Sequence, residues 1–150
     1  MNKDQYWLNI CNTISENSKC LSRKIAAIIV KDDKFIISTG YSGPPAGYKH
    51  CETICPRKGM GFKTGEGIEY CPSAHAERNA ISIAAKLGHS TDKCNMYLNT
   101  IIPCFECAKS IINSGIREII VTDLINYDKR GITGKSLFEQ SGVKIRKFKL

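Results

Sequence analysis

Two short motifs constrain this chain more than any other feature: His75-Ala76-Glu77 and Pro103-Cys104-Phe105-Glu106-Cys107. They supply three side chains of the kind that hold zinc and one carboxylate to spare, so the fold must bring two distant segments together around one ion. A structural zinc site usually closes its shell with four protein ligands, whereas a hydrolytic site keeps three and leaves the fourth position to water. Glu77 is the spare group and suits proton transfer. His75 and Glu77 are two residues apart and would face nearly opposite ways in mid-helix. At a helix's first turn, where side chains lean toward the N-terminus, both can reach a site beyond the helix end. Cys104 and Cys107, three apart, share one face. Two converging helix starts would set their positive ends beside the thiolates. A doubly charged zinc with two thiolates and a neutral imidazole sums to zero, so a water there can still lose a proton to Glu77. A lone Cys-x-x-Cys also reads as a redox pair, and His-x-Glu alone arises by chance. Both motifs at helix starts, with Pro103 leading the second, argue against coincidence.

The chain has 150 residues, 42% of them hydrophobic, which is most simply one globular domain over 1–150 with a core that needs no disulfides. Its eight cysteines therefore call for another explanation. No apolar run reaches membrane-spanning length, and the first residues lack a basic start and apolar core, so the expected compartment is the cytoplasm, with no membrane partner. In that reducing setting paired cysteines read as metal ligands before disulfides. The net charge of +8 favours an anionic ligand such as a nucleotide or nucleic acid, or serves solubility alone, since the lysines and arginines are scattered.

Apolar periodicity orders the elements. Trp7, Ile10, Cys11 and Ile14 mark an amphipathic helix over the first eighteen residues. Residues 25–30 and 35–39 form a hairpin around Lys31-Asp32-Asp33-Lys34, and Gly40 to Gly47 reads as loop. The stretch from Tyr48 to Pro72 has little periodicity, four glycines and three cysteines, and an irregular insert of that length is functional or pinned. A helix after His75 ends at Gly88, a strand covers 95–100, a second helix runs from Cys104 to Gly115, and a strand covers 118–122. A short helix at 134–140 leads to an edge strand at 143–148. This order predicts an α/β fold of three layers, a central mixed five-stranded sheet with helices on both sides.

With both motifs placed, the sequence resembles the zinc-dependent cytidine and deoxycytidylate deaminase superfamily, most closely its deoxycytidylate branch, whose members show His-x-Glu followed by Pro-Cys-x-x-Cys. The similarity continues through Gly40-Tyr41-Ser42-Gly43-Pro44-Pro45-Ala46-Gly47, Asn79-Ala80, Cys107-Ala108-Lys109, Ser114-Gly115-Ile116 and the tail from Leu137-Phe138. It implies His75, Cys104 and Cys107 as ligands of a catalytic zinc. Glu77 would shuttle a proton from water to N3 of the cytosine ring and then to the leaving amine. The product would be deoxyuridylate. Ser42, where the branch usually has Asn, and Gly43, Tyr127 and Arg78 are the candidate substrate-binding residues. Arg78 also resembles an Arg of nucleoside deaminases that bonds the metal thiolates. Arg23, Lys24, Lys129 and Arg130 are the candidate cations for a 5′-phosphate.

Cys51 and Cys55 have the interval of a zinc ligand pair. Some phage-like relatives carry a structural zinc at positions matching Cys20 and Cys51, and Cys55 and Cys71 would complete a tetrahedral shell, with His50 in reserve. Cys11 and Cys94 read as core residues and His89 as a surface one. The resemblance further implies a homo-oligomer, often a hexamer, and a deoxynucleoside triphosphate effector in many members. Competing readings are a deaminase of nucleosides or of a polynucleotide such as transfer RNA, and a zinc-stabilised binding module without activity. The absence of a basic stripe ranks nucleic acid lower, and Glu77 argues against the inert module.

Overall fold

In a computed structural model the described residues are 1–63, 65–129 and 131–148; the candidate Arg130 lies outside them. Helix α1 (Lys3–Ser15) starts at Asn2, whose side chain accepts from the Gln5 N–H at 2.8 Å. The hairpin follows as β1 (Ala26–Lys31) and β2 (Phe35–Tyr41), then α2 (Pro56–Gly59), a 3₁₀ turn (Ile68–Tyr70), α3 (Ala76–Leu87), β3 (Asn95–Leu98), α4 (Phe105–Asn113), β4 (Glu118–Val121), α5 (Gly134–Ser141) and β5 (Lys144–Lys147). The five strands form one mixed sheet in the order β2-β1-β3-β4-β5. β1 pairs antiparallel with both neighbours, and β3, β4 and β5 run parallel, as strands joined by crossover helices must.

β1 explains the layering. Its Ile28 and Val30 pack with Trp7, Leu8 and Cys11 of α1, while Ala27 and Ile29 join Ala76, Ala80, Ala108, Ile111 and Phe138 on the other face. A strand covered on both faces loses polar alternation, hence the unbroken apolar run. α1 therefore forms one outer layer and α3, α4 and α5 the other. An ionic cluster locks α1 across the sheet edge: Arg146 of β5 contacts both Asp4 and Glu118, and the Tyr97 hydroxyl donates to Asp4 at 2.9 Å.

Three expectations need correction. Gly40 and Tyr41 belong to β2 and not to a loop, because Gly40 lies against α3, where a β-carbon would come within 2.4 Å of Ala76 O and Ala80 N. The insert is not wholly irregular, since α2 and the 3₁₀ turn punctuate it. Pro56 opens α2 at the position where a missing N–H costs nothing. The first helix ends at Ser15, short of residue 18. There the Ser18 hydroxyl turns inward and donates to Ser42 O at 2.6 Å.

Candidate metal and active site

The site lies at the end of the sheet where β2, β3 and β4 finish and β1 begins, the usual ligand end of α/β sheets. His75 is the N-cap of α3 and Cys104 the N-cap of α4, both in extended backbone, so both motifs open helices as their spacing requires. A two-residue bridge anchors each approach. Gly43 and Ala74 exchange backbone hydrogen bonds of 3.2 and 2.8 Å just before His75, and Ile102 N–H donates to Ile125 O at 3.1 Å just before Cys104. Gly134, at the start of α5, backs the second approach, since a β-carbon there would lie 2.0 Å from Pro103 O.

Held this way, His75 Nδ1 lies 3.6 Å from Cys104 Sγ and 3.3 Å from Cys107 Sγ. Tetrahedral zinc with ordinary Zn–N and Zn–S bonds would set such atoms about 3.6 Å apart, so the donor set fits that ion in kind and in spacing. Among the described residues this is the group of three potential ligands whose donor atoms all lie within 4.8 Å of one another. The thiols are not equivalent. Cys104 is pulled down to about 4 because the Cys107 thiol donates to it and His75 lies beside it, and the same contact holds the Cys107 proton on, raising that group. The Cys104 contact also raises His75.

Glu77 is 5% exposed and lines the same cavity as His75 and Cys104. Burial raises its pKa, opposed by the nearby His75 and by its own backbone N–H. A carboxylate that can be protonated as well as ionised is what a proton shuttle needs. Tyr127 lines the cavity too, its ring edge-on to His75 at 6.0 Å.

The other candidates divide. Ser42 borders the cavity, but its hydroxyl is engaged inside the protein, donating to Arg23 O at 3.1 Å and accepting from Ile25 N–H at 3.2 Å, with Ser18 Oγ at 2.9 Å. It fastens the segment before β1 to the end of β2. Gly43 holds the approach to His75 through its backbone, as described above. Arg78 is exposed on α3, off the cavity wall, and acts on His75 and Cys107 only through its charge. Cys20 and Cys71 border the cavity, and Cys51 feels the charge of Cys55, Cys71 and Cys20, in that order, behind the dominant effect of burial. The four thiols thus lie near one another without the tight spacing of the His75 cluster. His50 is exposed; Cys11 and Cys94 are fully buried.

Two cavity residues escape sequence reasoning. Arg57 is buried, its Nη1 donating to the carbonyls of Lys63 and Glu66, each at 3.0 Å. Thr100 accepts from Arg23 Nη2 at 2.7 Å. An arginine in a polar insert ordinarily reads as solvated, and no local signal marks Arg57 as buried.

A family model described as the cytidine and deoxycytidylate deaminase zinc-binding region matches residues 1–123. A deoxycytidylate deaminase of Schizosaccharomyces pombe is 29% identical over 97% of this chain, which spans 44% of that protein. The deoxycytidylate deaminase of Enterobacteria phage T2 is 30% identical, with 92% of this chain and 88% of that one covered. A crystal structure of the dCMP deaminase of cyanophage S-TIM5 in complex with dCMP and dUMP superposes with a TM-score of 0.72 at 25% identity, over 96% of this chain and 95% of that one. His75, Glu77, Cys104 and Cys107 all fall inside the region that the family model matches, and the fold that carries them superposes on that of the cyanophage enzyme. The chain belongs to the cytidine and deoxycytidylate deaminase family.

Proposed function

We propose that this protein converts dCMP and water to dUMP and ammonia. The observation that carries this reading is the alignment of nearly the whole chain with a dCMP deaminase crystallised with dCMP and dUMP, joined to a cavity holding a His-Cys-Cys donor set and a buried glutamate. Zinc held by His75, Cys104 and Cys107 would supply Lewis-acid activation of water. Glu77 accepts one proton of the attacking water and delivers it to N3 as the C4–O bond forms; it then takes the remaining proton from the C4 hydroxyl and passes it to the amine, so the C4–N bond breaks, the C4 carbonyl forms and ammonia leaves. Purified zinc-loaded protein is expected to deaminate dCMP with a kcat/KM at least tenfold above that for deoxycytidine, because a phosphate adds binding energy that can be used to orient the ring. An ammonia-release assay across both substrates and a single-stranded oligonucleotide tests this. Equal efficiency on dCMP and deoxycytidine would place the chain among nucleoside deaminases, and preference for the oligonucleotide would overturn the free-nucleotide reading.

The same reading includes a second, structural zinc at Cys20, Cys51, Cys55 and Cys71, supported by the mutual proximity of these thiols. Four thiolates would complete a tetrahedral shell, and its binding energy would order the insert. Cys55→Ser is expected to lower zinc content from two ions per chain to one and expose the insert to protease. A wild-type content of one, with equal protection in the variant, would exclude it. A single domain over 1–150, a cytoplasmic site of action, a homo-oligomer and a deoxynucleoside triphosphate effector complete the proposal. Among the described residues no helix is long and apolar enough to cross a membrane.

A further inference from the structure

The site cavity contains two positive charges that deamination itself does not use. Arg57 is 8% exposed and faces the cavity from the insert. Arg23 faces it from the segment leading to β1. Neither joins an ion pair among the described residues, where the pairing cations are Lys24, Lys109, Lys135, Arg146 and Lys147. Among the described residues Glu77 is the sole carboxylate on the cavity wall, and the proposed chemistry needs it for proton transfer. A guanidinium offers five N–H donors in a planar fork. Arg57 uses Nη1 on two insert carbonyls and Arg23 uses Nη2 on Thr100, so each keeps further donors uncommitted among the described residues. Burying a cation without a counter-ion is costly, and an anionic ligand group removes that cost.

The arginines also stand in a fixed relation to the reacting end. Tyr127 stacks edge to face with His75 at 6.0 Å and lines the same cavity as Arg23 and Arg57. The Ser42 hydroxyl donates to the Arg23 carbonyl at 3.1 Å and accepts from the Ile25 N–H at 3.2 Å, which fixes the backbone that carries Arg23. The cavity lining therefore holds the proton-transfer group Glu77 and both arginines, with Tyr127 beside His75.

We propose that Arg23 and Arg57 form the subsite for the phosphate monoester of the nucleotide and so set the preference for nucleotide over nucleoside. This rests on the nucleotide reading above. Forked guanidinium pairs suit a phosphate dianion better than ammonium groups do.

The experiment compares zinc-loaded wild type with Arg23→Gln and Arg57→Lys. The lysine retains a donor for the insert carbonyls while losing the fork. The ratio of kcat/KM for dCMP to that for deoxycytidine is expected to fall roughly ten- to hundred-fold in each variant, the loss of one charge-assisted hydrogen-bond set, with zinc content unchanged. An unchanged ratio in both variants, where wild type does prefer dCMP, overturns the arginine assignment alone. A wild type without that preference overturns the nucleotide reading beneath it. A drop in zinc content with equal loss on both substrates would make the arginines counter-ions of the insert thiolates and would also overturn the assignment. A measurement on wild type guards against variants that misfold: dUMP, and not deoxyuridine, is expected to shield Arg23 from phenylglyoxal, read by peptide mapping. Equal labelling with both ligands refutes the subsite.

Discussion

Glu77→Gln is expected to keep its zinc and lose turnover by about 10³-fold or more, the scale on which a positioned acid–base group contributes. The side chain is 5% exposed and belongs to the same cavity as two of the three donors, yet the donor set in contact is His75 with the two thiols. An amide of nearly the same shape preserves the packing and the donors but cannot take a proton from water. Metal analysis alongside the ammonia assay decides the matter. Activity near wild type would remove Glu77 from the chemistry, and loss of the metal would make it part of the metal's support.

Gly40→Ala is expected to destabilise the fold by about 3 kcal/mol, the upper range for forcing extra volume into a packed interior, and to lower zinc occupancy together with melting temperature. A β-carbon at this position would lie 2.4 Å from Ala76 O and from Ala80 N and 3.0 Å from Ala80 Cα. All three are backbone atoms, so no side chain can rotate away. β2 and α3 must separate, and the Ser38 hydroxyl bond to Ala80 O at 2.7 Å is strained with them. Because His75 and Glu77 lie at the start of α3, the displacement reaches the site directly. Thermal melts and zinc content measured on one preparation provide the check; a variant with wild-type melting and full metal would show that the two backbones tolerate separation.

Some of the site was legible in the residues because its logic is local. His75, Glu77, Cys104 and Cys107 sit at helix starts, and the signals that place a helix start act over a few residues: an extended N-cap, a leading proline, an apolar period that begins there. Burial of β1 on both faces likewise shows as an unbroken run of apolar side chains. Ser42 was harder. In a list of residues it reads as a candidate substrate contact, whereas in the folded chain its hydroxyl is engaged with Arg23 and Ile25. Arg78 looked like a partner of the thiolates, but its place on α3 turns it outward.

The sequence by itself determined the metal chemistry, the order of the elements and the mixed sheet, because ligand type, helix punctuation and apolar period are properties of residues and their near neighbours. Tertiary structure alone decided the close approach of Gly40 to α3, the backing of Cys104 by Gly134, the internal role of Ser42 and the placing of Arg23 and Arg57 on one cavity. Each of these depends on two segments far apart in the chain arriving at a particular distance. That distance is set by the packing of the whole sheet and its helices, and no local pattern of residues encodes it.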